Sequence, residues 1–331
     1  MVNVAVAGGT GGIGRTIAEV LISHPQHRAI ILTRQVRGRI AIQDRVVDHR
    51  LQKKHGQDEQ LGAPPVQVDY SNAEFLKSVL EEHQIHTVIC AFPMEGDALR
   101  TAQINLLKAA VASSKTRRFI PTSFSIPYPR DHINILPLLK DYFEAIDELK
   151  KTDLQWTIVL NGVFMDYFAM PHLKTYLERS VFVVDMEHKV AAIPGKGDVP
   201  VTFTYSFDVA KFVVAALDLA EWPEESRVVG DQMTWNKLVR LAEEARGSNF
   251  TVQYDDLEKL QKFEITELPS HPALYSSDFP KEQFQLFMSI LELWTAVGVS
   301  HIPREGSLNE KFPDIKPLTV REMLAQAWKG K

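Results

Sequence analysis

The 331-residue sequence has a single cysteine, Cys90, so no internal disulfide can staple it, and a chain of this length with no cysteine pair fits a reducing, cytoplasmic setting. It has no excess of positive charge. Its 37 Lys and Arg against 42 Asp and Glu give a formal charge of −5, which offers no global field for nucleic acid or an anionic bilayer. Long hydrophobic runs are missing too. The apolar start MVNVAVA stops at glycines without a basic flank, unlike a signal sequence, and Val209–Ala220 is interrupted by Lys211 and Asp218. No repeat of solenoid period and no low-complexity tract occurs. The expected partner is therefore a small molecule, with neither nucleic acid nor membrane involved; monomer and homodimer both remain open.

What is present is an alternation of short apolar strands with helical patterns. Val2, Val4 and Val6 read as a buried first strand running into glycine, after which Ile13, Ile17, Val20 and Leu21 recur at helical spacing. The same rhythm predicts strands at Ala29–Thr33, Val66–Asp69, Thr87–Ala91, Arg118–Thr122 and Gln155–Leu160. Helices are predicted at Leu99–Ser113 and Leu138–Lys150, and another opens after Val66–Asp69 with Ser71 and Glu74 as a capping box. Buried strands alternating with helices imply a doubly wound, mostly parallel sheet of Rossmann type. Residues 36–64 read as a polar surface insertion with a helix at Ile40–Leu51. Further on, Val199–Thr204 and Asp208–Ala220 predict another strand and helix, and Thr234–Arg246, Lys281–Val297 and Leu318–Trp328 predict amphipathic helices. The apolar stripe Phe284, Phe287, Ile290, Leu291 and Trp294 reads as core packed against the sheet domain. A single core seldom grows beyond about 250–300 residues, so two lobes are expected. One is a nucleotide domain over 1–165 with 199–220 returning to it; the other, smaller and mainly helical, takes 166–198 and 221–331.

The strongest chemical signal is Gly8-Gly9-Thr10-Gly11-Gly12-Ile13-Gly14, between the first strand and the first helix. A turn this tight needs torsions that side chains obstruct, and a pyrophosphate must reach bare backbone N–H groups at the helix start. Lys-Ser or Lys-Thr does not follow, which excludes a P-loop. At the end of the second strand, where an Asp or Glu would hold the ribose of NADH, the chain has Thr33-Arg34. A guanidinium there pairs with a 2′-phosphate, so NADP(H) is the expected cofactor, with Arg37 or Arg39 as further cations. Local basic density at Lys53–Lys54 and Arg117–Arg118 also suits a small anion. Asp69 at the adenine edge, Ala91 and Phe92 beneath the cofactor, and Asn161 and Phe164 near the nicotinamide complete the expected contacts.

The loop GGTGGIG, Arg34, Gln103, the segment RRFIPTSF, Lys140, WTIVLNGVFMDYF and GDQMTWNKLVRLAEEARG together resemble the NmrA-like family of atypical short-chain dehydrogenases, which includes isoflavone reductase-like enzymes. The resemblance implies an NADP-binding Rossmann domain with a smaller substrate lobe, and hydride transfer from NADPH. The usual Tyr-x-x-x-Lys pair is absent, since Leu136 stands four residues before Lys140. In the family's reductases a lysine after strand five serves the nicotinamide ribose and the reacting group, and Lys140 matches it. An ammonium there also makes chemical sense, because hydride arriving at C=O, C=N or conjugated C=C leaves negative charge to be stabilised or protonated, best from a partly buried lysine. Phe124, Tyr128, His132, Tyr167 and Phe168, in the segments Thr122–Pro137 and Asn161–His172, are the expected substrate pocket. Their apolar character suits an aromatic or heterocyclic metabolite, of the kind made in secondary metabolism. No metal is expected: His83 and His86 lack matching ligands, and Cys90 lies in an apolar strand. The alternative is a non-catalytic NAD(P)-sensing regulator that docks on a protein, as fungal NmrA-type relatives do.

Overall fold

A computed structural model of the chain describes residues 1–34, 62–63, 65–94 and 98–331. The expected helix at Ile40–Leu51 and the cations Arg37, Arg39, Lys53 and Lys54 lie outside the described residues.

The chain divides into two compact units. The first holds Met1–Ser123, Pro137–Ile158 and Val213–Glu225. Its centre is a six-stranded sheet of β1 (Val2–Ala7), β2 (His27–Thr33), β3 (Pro65–Gln67), β4 (Ile85–Cys90), β5 (Arg118–Ile120) and β6 (Gln155–Trp156), in the order β3-β2-β1-β4-β5-β6. Every pairing in it is parallel. Val4 to Ala7 and Ile85 with Val88 to Cys90 are almost completely buried, as strands covered by helices on both faces must be. Pro65, which cannot donate to a ladder, sits on the edge strand. The order reverses between β1 and β4, so their carboxyl ends form the switch point at which open α/β sheets bind ligands.

Helix α1 (Gly12–Ser23) follows β1 and turns Ile17, Ala18 and Leu21 inward. Helix α2 (Ala73–Glu82) starts one residue later than the sequence suggested. Asn72 is the cap, its side chain accepting the Phe75 N–H, while Ser71 donates both its hydroxyl and its N–H to Asp69 Oδ1. The Ser71–Glu74 box is thus not formed, because the Asp69 turn takes the hydroxyl. The helix predicted from Leu99 begins as a π-helical turn at Ala98–Gln103 and continues as α3 (Ile104–Ala112). Helix α4 (Leu138–Leu149) matches its expected span. The strand predicted over 155–160 breaks at Thr157. Trp156 pairs with Phe119 of β5, whereas the Ile158 N–H bonds to Glu224 O.

Arg117 and Arg118 do not form an anion site. Arg117 donates to the carbonyls of Thr116 and Ser114. Arg118 donates to Leu217 O at 2.9 Å, Leu219 O at 2.6 Å and Ala220 O at 2.9 Å, and its guanidinium lies 4.9 Å from the Trp222 ring centroid. It thereby fastens the returning segment to β5. Arg118→Ala leaves three carbonyls without their donor, and a loss of about 3 kcal/mol in urea-unfolding stability is expected, with Arg118→Lys restoring only part because one ammonium cannot reproduce the planar fork.

The second unit holds Phe124–Leu136, Val159–Phe212 and Ser226–Lys331. Residues 200–204, placed with the first domain by the sequence reading, fall here. They form a strand that pairs in parallel with Val163–Phe164 and antiparallel with Asp231–Thr234. Of the predicted helices, Trp235–Arg246 is capped by the Thr234 side chain and ends at left-handed Gly247, and Val320–Trp328 opens with a Thr319–Glu322 capping box. The helix Lys281–Ala296 places Phe284, Ile290 and Trp294 in the interior. Phe284 joins the unit's own core with Phe203, Trp235 and Trp328. No helix among the described residues is long and apolar enough to cross a membrane.

Candidate functional site: a glycine loop in one unit and an aromatic cluster in the other

In the first unit, the glycine loop separates into two kinds of position. Gly8 has φ +81°, and a Cβ built on it would stand 2.3 Å from Ala91 O. A Cβ on Gly14 would meet Gly8 O at 2.4 Å and the Ala91 methyl at 2.9 Å. These two glycines, with the small Ala91 opposite them, let the loop, α1 and the end of β4 pack together. Gly11 and Gly12 differ: a Cβ on either would meet none of the described residues within 4 Å. The helix start beside them carries no acidic residue in its first turn, and Gly11 caps it without any side-chain bond. Open backbone at the positive end of a helix is an anion cradle. Thr10 and Ile13 are half-buried beside it.

The strand ends around this loop are braced. Ala91 N–H donates to Ala7 O, and Phe92 N–H donates to Thr122 Oγ1 at 3.1 Å. The Thr122 N–H in turn donates to Gln103 Oε1 at 2.7 Å. Gln103 is fully buried and its Nε2 has no partner among the described residues, so a donor is left over beside the ends of β4 and β5. Phe92 lies edge-on to Tyr70, with ring centroids 5.2 Å apart. Asp69 is exposed, and its two bonds from Ser71 hold its carboxyl below the usual range. Arg34 follows β2 directly and is exposed. The open cradle, the leftover amide donor and the cation at the end of β2 fit an adenine dinucleotide with a 2′-phosphate. Lys140 lies in the first turn of α4 and is exposed, not partly buried as the chemical reading preferred.

In the second unit the expected substrate residues sort themselves. Phe168 is buried against Phe203 and Trp235, and Trp328 Nε1 donates to its carbonyl, so it is core and not pocket. Phe124 is also buried, held at φ 49° in the left-handed region. Tyr128, His132, Tyr167 and Phe164, by contrast, are half-buried and fall into two ring groups. Phe164 meets Tyr167 edge-on at 6.3 Å, and Tyr128 and His132 each lie 5.7 Å from the Trp294 ring. Burial raises the Tyr128 hydroxyl above its ordinary range, and burial with the neighbouring Asp166 carboxylate raises that of Tyr167. Both phenols therefore keep their protons at neutral pH. Trp294 Nε1–H donates to His132 Nδ1 at 2.8 Å, so the neutral imidazole carries its proton on Nε2.

Asn161 is fully buried, its carbonyl accepting from Thr204 Oγ1 and its side-chain Oδ1 without a partner among the described residues. Two contributors escaped sequence reading. Trp294, read as stripe, orients His132. Asp166 is buried and accepts from Thr175 Oγ1, Ser206 Oγ and Ser206 N, which fixes the turn bearing Tyr167. A Ser270–His188–Asp185 grouping elsewhere in this unit is no catalytic triad, since His188 uses the same Nδ1 toward both partners. Cys90 is buried and its thiol is pushed up by burial, which removes it as a nucleophile.

Residues 2–310 match the NmrA-like family. An oxidoreductase of Botryotinia fuckeliana, BOA1, is 32% identical over 319 residues, covering 96% of each chain. Pinoresinol reductase 1 of Arabidopsis thaliana is 24% identical over 335 residues, covering 95% of this chain and 93% of its own. Among solved structures, the leucoanthocyanidin reductase–NADPH complex of Vitis vinifera superposes with a TM-score of 0.73 at 18% identity, over 98% of this chain and 99% of that one.

Proposed function

We propose that this chain, which belongs to the NmrA-like family, reduces a C=O, C=N or conjugated C=C bond of a small aromatic or heterocyclic metabolite. Its general class is that of an NADP(H)-dependent oxidoreductase. The observation that carries the reading is the open backbone at Gly11 and Gly12 at the start of α1, with Arg34 at the end of the neighbouring strand. Gly11, Gly12 and Ile13 would hold the pyrophosphate, Arg34 the 2′-phosphate, and the Gln103 amide a polar group near the ends of β4 and β5. NADPH, when bound, supplies a hydride from its nicotinamide ring.

Lys140 Nζ has the role of balancing the negative charge that hydride leaves on the substrate, or of protonating it. Phe164, Tyr167 and Tyr128 offer apolar ring faces suited to a planar substrate, and the protonated phenols and His132 Nε2–H are donors to its polar edge. The relatives named for pinoresinol and leucoanthocyanidin reduction support this substrate class.

Calorimetric titration of the purified chain with NADPH and NADH, then loss of NADPH absorbance across aromatic ketones, imines and enones, tests the proposal. NADPH is expected to bind at least about tenfold more tightly than NADH. Arg34→Ala should erase that preference by weakening NADPH alone, the effect of losing one charge-assisted phosphate contact of about 1.5–3 kcal/mol. No heat with either dinucleotide, or turnover of no compound in the panel, overturns it.

A further inference from the structure

We propose that His24, His27 and Asp218, in the first unit, form a binding site for a divalent transition metal of the zinc, nickel or cobalt class. One ring nitrogen of each histidine and one carboxylate oxygen lie within 4.8 Å of one another. The three come from separate elements. His24 is the residue that ends α1, His27 opens β2, and Asp218 lies just after the helix Ser206–Ala216.

His27 is the central ligand. Its side chain is only 2% exposed, its Nδ1 has no hydrogen-bond partner among the described residues, and its Nε2 faces the Asp218 carboxylate. A buried imidazole held only by one long contact is weakly satisfied, and coordination through Nε2 would give that nitrogen a stronger partner while keeping the carboxylate beside it. That nitrogen stands 3.3 Å from Asp218 Oδ1, about the edge length of a tetrahedron around a metal bonded at roughly 2.0–2.1 Å. The His24 ring lies nearly parallel to the His27 ring, 4.9 Å away between centroids. His24 Nδ1 accepts only a long contact from the Gln26 N–H at 3.4 Å, which costs little to give up on ligation. The Asp218 side chain is half exposed, so water has access to complete the coordination. Two imidazoles and one carboxylate suit zinc-class ions over magnesium, which prefers an all-oxygen shell.

A His27–Asp218 ion pair alone accounts for one of these contacts and leaves the approach of His24 unexplained. The site is remote from the dinucleotide cradle: His27 pairs with Val2 at the start of β1, whereas the glycine loop follows Ala7 at its end. A metal here would clip the returning 213–225 segment to the α1–β2 corner, adding stability to that unit.

The test is a calorimetric titration of the chelator-treated full chain with zinc chloride, alongside thermal unfolding with zinc or magnesium chloride. One zinc per chain and a raised unfolding midpoint are expected, with no rise in magnesium. His24→Gln, His27→Gln and Asp218→Asn should each weaken zinc binding at least about tenfold. Should His27→Gln fail to fold, the other two, at more exposed side chains, still decide the matter. Absence of zinc binding, an equal midpoint shift with magnesium, or undiminished binding in His24→Gln and Asp218→Asn overturns the proposal.

Discussion

Gly11→Ala is expected to fold as well as the parent chain and to lose NADPH binding by about 100-fold, whereas Gly8→Ala is expected to lose the fold itself. The two substitutions add the same methyl group three residues apart, and the geometry assigns them opposite consequences. At Gly11 the backbone is extended, at φ −153° and ψ 168°, a conformation any residue adopts, and the new Cβ meets none of the described residues within 4 Å. Its cost to folding is that of alanine at a helix cap, about 1 kcal/mol or less. If the pyrophosphate lies on the N–H groups opening α1, as proposed, the methyl fills its path and two or so charge-assisted bonds are lost, enough for about 100-fold. At Gly8 the backbone is left-handed, at φ +81°, and the Cβ would overlap Ala91 O at 2.3 Å. The left-handed penalty of about 1–2 kcal/mol is then joined by a backbone clash that only separating β1 from the end of β4 can relieve. Together these should exceed about 3 kcal/mol. Urea unfolding and NADPH titration on both variants read the two effects apart. Unchanged NADPH affinity in Gly11→Ala would mean that the pyrophosphate does not lie there, and a normally stable Gly8→Ala would mean that the loop does not pack as described.

These glycines were legible in the sequence because their constraint is local: the turn, the strand before it and the helix after it lie within about twenty consecutive residues. The same holds for Thr234 and Gly247, whose capping chemistry marks both ends of one helix. Interactions set by distant partners were not legible. Trp294 is 162 positions from the His132 it orients, and its place in an i, i+3, i+4 stripe made it look like any core aromatic. Arg118 looked like half of a basic pair, yet its partners are carbonyls about 100 residues later, and a carbonyl leaves no mark on sequence. Asp166 and Phe168 were hidden for a related reason. Both lie in a short polar-apolar segment where neighbours two residues apart turn either into the core or toward the half-buried aromatic set, and only the tertiary fold says which. Even the local capping error at Ser71 has this character, since two adjacent residues offer good caps and the Asp69 turn decides between them.

Lys140→Ala is expected to bind NADPH within about threefold of the parent and to lose turnover by about 100-fold or more, the range for removing a general acid or the cation opposite a developing anion. The placement of Lys140 makes this a clean experiment. It is exposed in the first turn of α4, next to Asp141 and close to the helix N-terminus, where the macrodipole disfavours a cation by about 0.3–1 kcal/mol. Its backbone N–H bonds to Pro137 O, and that bond survives any side-chain change. Stability therefore gives no reason for a lysine here, and its removal should leave the unfolding midpoint unchanged or slightly raised. A drop in turnover in such a variant is a loss of chemistry and not of structure. Lys140→Arg retains the charge but carries a guanidinium that does not release its proton near neutral pH. Partial activity in Lys140→Arg would assign the residue to charge stabilisation, and an Arg variant as poor as the Ala variant would assign it to proton donation. Full turnover in Lys140→Ala would remove the lysine from the mechanism.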